Sequence, residues 1–529
     1  MLRKTILVSA ILLTSASLRA QQPNTTLEGT LNIIWGDPHP ESGSGGRVIY
    51  SLTLADGTTV PLELTGQDGI AAYYFGKRVL VSGRIVQNQS AITKATEPSA
   101  MIVDAIAPSQ ALQSQPLSAA VFGTKNVIYL LLKFSDDSDV PHPPSFYTNL
   151  NNPDTPPAEE VFPASINGFY KKTSWSQFSW LGDVGGIGGV GASGGWLTLP
   201  QSKNHYAPCG WSSACADVLA IANDGMALGR AQGINFTNYD NINFVLSNDL
   251  DCCAWGGNFY SSVDNKAFGG TWEPPWGQEA GTYVHEMGHS IGLPHSGWVY
   301  YAYDSPWDNM SLRTSASYAY CGSYNSKNDG LWSPLYCDEP GNGFIAPYKE
   351  YLSWIPPANQ ATTDSSSTTT VTLEANALPL SSATKILKIC LTGIPCSGAS
   401  AHYFTVEARV KGLGAASQYD NAVPGDGVII HDFRRDRSPI GGACFFNNQS
   451  GWAVPIDSTP GDYDSVSCTS GGRGKPNYAL YNAQWSPGQR YTNSTYGFEI
   501  RVISRSGSTF VVSVVSVGIK KRRGQITSN

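Results

Sequence analysis

The sequence is short of charge: Asp, Glu, Lys and Arg together make up 14% of its 529 residues. It also lacks a basic excess. Lys and Arg number 34 against 41 Asp and Glu, a net charge of −7, which excludes the basic surface that general nucleic-acid binding needs. The cluster Lys520-Lys521-Arg522-Arg523 reads as a solvated tail. After the N-terminus no apolar run approaches the roughly 18 residues of a membrane-spanning helix, so no membrane span is expected. Phe510 to Ile519 is short, broken by serines, and reads as a buried strand. No cysteine precedes Cys209, and none of the ten forms a C-x-x-C, which speaks against a cysteine-rich zinc site.

What is abundant is glycine, 55 residues, and tryptophan, 14, in a chain that is 41% hydrophobic. That composition argues for a loop-rich, β-rich globular protein and against disorder. The length exceeds one ordinary core and implies several domains. Arg3 and Lys4 precede the apolar run Ile6 to Leu13, and Ala20 is a plausible residue before a cut, so residues 1–20 read as a secretory signal and the mature chain as secreted. An even number of cysteines agrees with an oxidising compartment. Local pairing is expected for Cys321 with Cys337, Cys390 with Cys396, and Cys444 with Cys468. Cys252 and Cys253 reach Cys209 and Cys215 or join each other.

Residues 21–120 comprise β-branched segments split by turn signals such as Asp56-Gly57, and then a patternless linker from Ser109. Their size fits a small five-stranded barrel resembling an OB-fold. A second unit spans 121–360. It holds a buried strand at Val127 to Phe134, a helix within Cys215 to Gly233 and another strand at Asn241 to Leu246. Residues 361–370, rich in Ser and Thr, read as a linker. Residues 371–519 hold short strands with turns between them, the pattern of an all-β sandwich, followed by the basic tail 520–529.

The chemistry concentrates in His285-Glu286-Met287-Gly288-His289-Ser290-Ile291-Gly292-Leu293-Pro294-His295. Two histidines four apart lie on one helix face, so both imidazoles reach one ion. Gly292 turns the chain sharply, Pro294 blocks further helix, and His295 returns as a third ligand. Three protein ligands leave a fourth position for water, the arrangement of a catalytic zinc. Glu286 is placed to bind that water as general base rather than to bind the ion.

This run resembles the metzincin signature HExxHxxGxxH. Met310, 15 residues after His295, sits where that family has its Met-turn, an apolar floor under the histidines. The likeness is greatest to the gametolysin-like family (peptidase M11). It rests further on Asn167-Gly-Phe-Tyr-Lys-Lys-Thr-Ser-Trp-Ser-Gln-Phe, Ala346-Pro-Tyr-Lys-Glu-Tyr-Leu-Ser-Trp354, Tyr403-Phe-Thr-Val-Glu-Ala-Arg409 and Gly427-Val-Ile-Ile-His431. The resemblance implies a multidomain chain whose α+β metzincin catalytic domain is flanked by the barrel and the sandwich. It implies a zinc endopeptidase acting on extracellular proteins or glycoproteins. Some members of the family keep latency with a pro-region cysteine, which this chain lacks before Cys209.

Asp37, in Trp35-Gly-Asp-Pro-His, reads as a turn aspartate in preference to a zinc-capping carboxylate. Asp426, Asp432 and Asp436 lack the spacing of a calcium loop and read as solvated turn residues. His205, His402 and His431 read as satisfied polar histidines. Gly185 to Gly191 lacks the lysine of a phosphate loop. Ala254 to Trp272 is the expected edge beside the cleft, where Gly256-Gly257 and Gly269-Gly270 allow close backbone approach. The competing reading is a secreted binding or adhesion protein on the same scaffold. Oligomeric state has no signature in the sequence.

Overall fold

The computed structural model describes residues 24–39, 46–86, 100–109, 121–152, 165–185, 195–296, 305–311, 342–411, 413, 420, 423–438, 451–459, 480 and 483–518. The expected signal, the linker beyond residue 109, the C-terminal tail, and the pairs Cys321/Cys337 and Cys444/Cys468 lie outside them. The fold is mostly β with few helices.

The first five strands are β1 (Thr25–Pro38), β2 (Arg47–Leu54), β3 (Thr59–Leu64), β4 (Arg78–Val86) and β5 (Ala100–Pro108), with helix α1 (Asp68–Tyr73) between β3 and β4. Their order is β2-β3-β5-β4-β1, and β1 also pairs with β2, so the five strands close into a barrel. The alternation Leu31, Ile33, Trp35 along β1 and Val79, Val81 along β4 fills its interior.

The barrel shares its sheet with the second unit. From β1 the sheet continues β1-β10-β11-β9-β6-β7. These strands are β6 (Gly123–Lys133), β7 (Phe178–Val184), β9 (Asn241–Leu246), β10 (Cys253–Ser261) and β11 (Lys266–Glu273), and a two-residue β8 (Leu197–Thr198) sits beside β6. β7, β6, β9 and β11 run parallel, and β10 runs antiparallel to β11. Parallel neighbours need crossovers, and helices supply them. α2 (Pro144–Asn151) and α3 (Ile166–Thr173) lie between β6 and β7; α4 (Lys203–Tyr206) and α5 (Val218–Ala231) lie between β8 and β9. The apolar run of β6 reflects burial on both faces. Val127, Tyr129 and Leu131 join the core with α3 and with Tyr283, Val284 and Met287 of α6 (Ala280–Ser290). Ile128, Leu130 and Leu132 join the core under Val218, Ile221 and Met226 of α5.

The remaining strands form two sheets. One has the order β12-β14-β15-β16-β17, with β18 on β16; the other is β13-β21-β20-β19. The first comprises β12 (Gln360–Asp364), β14 (Ile386–Cys390), β15 (His402–Arg409), β16 (Gly427–Arg434), β17 (Ala453–Pro455) and β18 (Gln484–Trp485). The second comprises β13 (Thr369–Glu374), β19 (Arg490–Asn493), β20 (Phe498–Ser506) and β21 (Thr509–Ser516). Ile389, Val406 and Ile430 from one sheet share an apolar cluster with Phe498, Val512 and Leu373 from the other. Residues 361–370, expected as a linker, instead form most of β12, a turn and the start of β13. β-branched threonines suit a pleated strand, and Asp364 accepts the Ser366 N–H at 2.8 Å to close the turn.

A buried charged cluster joins these sheets to the segment under α6. Arg409 donates to Asp420 through Nε at 2.8 Å and Nη2 at 2.6 Å, and to the Gly343 carbonyl at 3.3 Å. Glu407 accepts the Ala346 N–H at 3.1 Å and the Asn376 amide at 2.5 Å, and Asn376 accepts from Lys349 at 3.0 Å.

His431 of β16 lies within 4.0 Å of Glu407 in this cluster. Burial, and then the Arg409 charge, push its pKa down from 6.5 to about 3. The fold therefore holds His431 neutral, while the unfolded chain takes up the proton once pH drops below 6.5. Its contribution is complete above that pH and drains as pH falls, by up to about 1.4 kcal/mol per pH unit. Denaturant unfolding between pH 6.5 and 4 is expected to show a flatter pH dependence for His431→Gln than for the wild type.

Candidate metal centre

All residues of α6 from Ala280 to His289 are buried. At its N-terminus the Thr282 hydroxyl donates to Glu279 at 3.0 Å. At its C-terminus the Leu293 N–H reaches the Gly288 carbonyl at 3.0 Å and the Gly292 N–H reaches that of His289 at 2.9 Å. This is a Schellman closure, and Gly292 takes the left-handed conformation it requires, at φ +91°. Pro294 then carries the chain away. His295 comes back to the helix face, its carbonyl held by the Tyr348 hydroxyl at 2.8 Å.

The three imidazoles thus converge, with ring centroids 4.9, 5.4 and 4.9 Å apart. His285 Nδ1 donates to the Asn309 carbonyl and His289 Nδ1 to that of Leu293, each at 2.7 Å. A carbonyl only accepts, so these bonds fix the tautomer and leave the Nε2 lone pairs facing inward. Glu286 lies beside β10. A Cβ at Gly256 would stand 2.8 Å from its Oε2 and 2.5 Å from its backbone oxygen, so glycine is what allows helix and strand to approach.

A fourth group completes the cluster. Asp37, at the end of β1, places Oδ2 3.0 Å from His285 Nε2 and 3.1 Å from His289 Nε2, and Oδ1 2.8 Å from His295 Nε2. The preferred sequence reading of Asp37 as a turn aspartate is therefore corrected: it is a buried strand residue 248 positions before the histidine it meets. Its neighbours escaped the sequence reading too. The Trp35 ring stacks on His289 at 4.6 Å, and Phe75 packs against Gly292. The His39 ring lies 5.0 Å from that of Trp211 and 4.9 Å from that of Trp276. For Trp35, Asp37 and His39 the motif Trp-Gly-Asp-Pro-His held a signal, a proline that ends a strand next to an acid; Phe75, Trp211 and Trp276 had none.

The electrostatics call for a cation. Burial pushes the His289 pKa down to about 3, against the pull of Asp37, so its ring is neutral at ordinary pH. The Nδ1 bonds leave Nε2 of His285 and His289 as acceptors, so an ionised Asp37 near 3 Å from them is an acceptor facing acceptors unless a proton or an ion lies between them. A metal ion resolves the conflict: bonds of about 2.0–2.1 Å place tetrahedral donors about 3.3 Å apart. Asp37, His285, His289 and His295 could hold such an ion.

Met310 is buried beside the site: its sulfur lies against Gly288, and Asn309 before it accepts from His285. The remaining sequence candidates fall elsewhere. Asp426 pairs with Arg505 at 2.6 Å, Asp432 with His402 and Arg437 at 2.7 Å each, and Asp436 with Arg434 at 3.3 Å, so each has a cationic partner in place of a calcium ion. Disulfides join Cys209 to Cys215, Cys252 to Cys253 and Cys390 to Cys396. The sulfurs near Asp251 are thereby removed as thiolate ligands.

Native mass spectrometry is expected to find one divalent ion per folded chain. His285→Ala and His289→Ala should lose it on dialysis, and Glu286→Ala should keep it. No protein-family model and no curated protein matches this chain, so the reading of the centre rests on its own geometry.

Proposed function

We propose that the chain is a secreted zinc-dependent endopeptidase of the metzincin type, most similar to the gametolysin-like family, that cleaves extracellular proteins or glycoproteins. The observation that carries this is the meeting of three buried imidazoles with Glu286 directly beside strand β10. On this reading residues 121–360 are the catalytic unit, the barrel precedes it and a β-sandwich comes after it.

His285, His289 and His295 would hold the zinc, which supplies Lewis acidity to a water and to the scissile carbonyl. Glu286 takes the water's proton as its oxygen adds to the carbonyl carbon. It returns that proton to the amine as the C–N bond breaks. The hydrogen bonds from His285 and His289 to backbone carbonyls keep both rings in one orientation through the cycle. The Met310 sulfur packs under Gly288 and supports the helix from below. β10 supports the choice of a peptide substrate. An extended chain already pairs with its free side, since β1 runs antiparallel to it from Ile34↔Gly257 to Pro38↔Cys253.

A second reading is a secreted binding or adhesion protein. What favours it is Asp37: four protein groups around one point make a closed shell, as in structural metal sites.

Glu286→Ala should lower hydrolysis of a denatured protein by about 100-fold or more while keeping its zinc. A chelator should abolish cleavage by the active form. Undiminished cleavage by the variant would exclude the endopeptidase reading.

A further inference from the structure

We infer that the barrel is a built-in inhibitor: Asp37 occupies the fourth metal position and Ile34–Pro38 occupies the peptide-docking side of β10, so the folded chain is latent. This rests on the metal-centre reading above, and it reconciles the closed shell with a hydrolytic Glu286.

Three observations converge on it. The first is where β1 stops belonging to the barrel. Its pairing with β2 ends at Gly36↔Arg47, while its pairing with β10 continues through Asp37↔Ala254 and Pro38↔Cys253. Asp37 is thus carried past the barrel into the cleft. The second is the fit of the intruding strand. A Cβ at Gly36 would stand 2.6 Å from the Trp255 ring, and one at Gly257 would stand 2.1 Å from the Ile33 oxygen. Bare backbone on both sides lets the strands meet at that point. The third is the anchoring around it. Trp35 covers His289, Phe75 covers the Gly292 turn, and the His39 N–H donates to the Cys252 carbonyl at 2.7 Å. On α1, just before Phe75, Arg435 lies over the Tyr73 ring at 4.9 Å, and Gly69 rests on the backbone of Asp436 and Arg437. The barrel is thus held by both the second unit and the segment after β16, and a buried carboxylate is tolerated because it has an ion to bind.

The position Asp37 takes is that of the water Glu286 must deprotonate. Both cannot be bound in one tetrahedral shell. A substrate strand cannot pair with β10 while β1 does. Latency here therefore needs no cysteine, consistent with the first one falling at Cys209.

The test uses the full chain loaded with cobalt(II), whose visible spectrum reports its ligands, and azide as a small anionic probe. Wild type should keep its spectrum in azide. Asp37→Ala should bind azide at least about tenfold more tightly, because the competing internal ligand is gone. Asp37→Asn, nearly isosteric, guards against misfolding and should alter the cobalt spectrum even without azide. Gly36→Val keeps the carboxylate but forces the strand off Trp255, and should also admit azide. Equal azide affinity in wild type and Asp37→Ala, both carrying cobalt, would overturn the inference and leave the metal centre standing. Azide entry in Asp37→Ala but not in Gly36→Val would overturn the strand's part. Failure of every form to take up cobalt or zinc would sink both readings. An azide response with no peptide hydrolysis even in Gly36→Val, where the strand is also displaced from β10, would support the cap and remove the endopeptidase.

Discussion

A buried carboxylate and three buried imidazoles that meet at one point need positive charge between them, a proton or a metal ion. The cavity is closed because α6 is buried from Ala280 to His289 and β1 lies across its open side. The rings of His285 and His289 are held to one tautomer by carbonyls of Asn309 and Leu293, which leaves the lone pair of each Nε2 pointing inward. Burial that would be costly for any one of these groups becomes stabilising once an ion satisfies all four. Much of the surrounding architecture makes sense as the means of bringing four donors from distant parts of the chain to one point.

Three devices deliver the four donors. The helical repeat places His285 and His289, the glycine-closed turn at Gly292 delivers His295, and a strand overrunning its barrel delivers Asp37. The segment holding Asn309 and Met310 is fixed in turn. Ile345 N–H donates to Asp308 at 3.2 Å and Ser296 N–H to the Met310 carbonyl at 3.2 Å, while the Arg409 cluster ties Gly343 and Ala346 to β15. The C-terminal sheets thus serve as a foundation for the floor of the site.

The same geometry carries two opposite messages about function. Glu286 beside β10, which takes an extended strand along one side, suits hydrolysis of an extended chain, while Asp37 as a fourth donor suits a site that does nothing but hold metal. An inhibitor strand removes the conflict because it makes the filled position conditional. The barrel closes its own strand ladder, so its strands need not dissolve if Asp37 moves away from the histidines. What must be exchanged is a short ladder on β10 and the aromatic contacts of Trp35, Phe75 and His39.

The metal ligands on α6, the turn at Gly292 and most strands were legible in the sequence because they are local. A helix face repeats every three to four residues, a strand every two, and a glycine marks where the chain must turn left-handed. β6, β9, β15, β16, β20 and β21 each lie where their apolar runs placed them. The Ser- and Thr-rich run at 361–370 misled because its composition suits a linker as well as a strand, and only pairing with β14 and β21 decides between them. Asp37 was beyond local reading for a stronger reason. Its role depends on a partner 248 residues away, and no periodicity within β1 encodes that distance. By itself the sequence determined where three histidines could meet one ion, with Glu286 beside them. Only the tertiary structure decided that Asp37 joins them as a fourth donor, because strand pairing between β1 and β10 is a contact that sequence neighbours cannot announce.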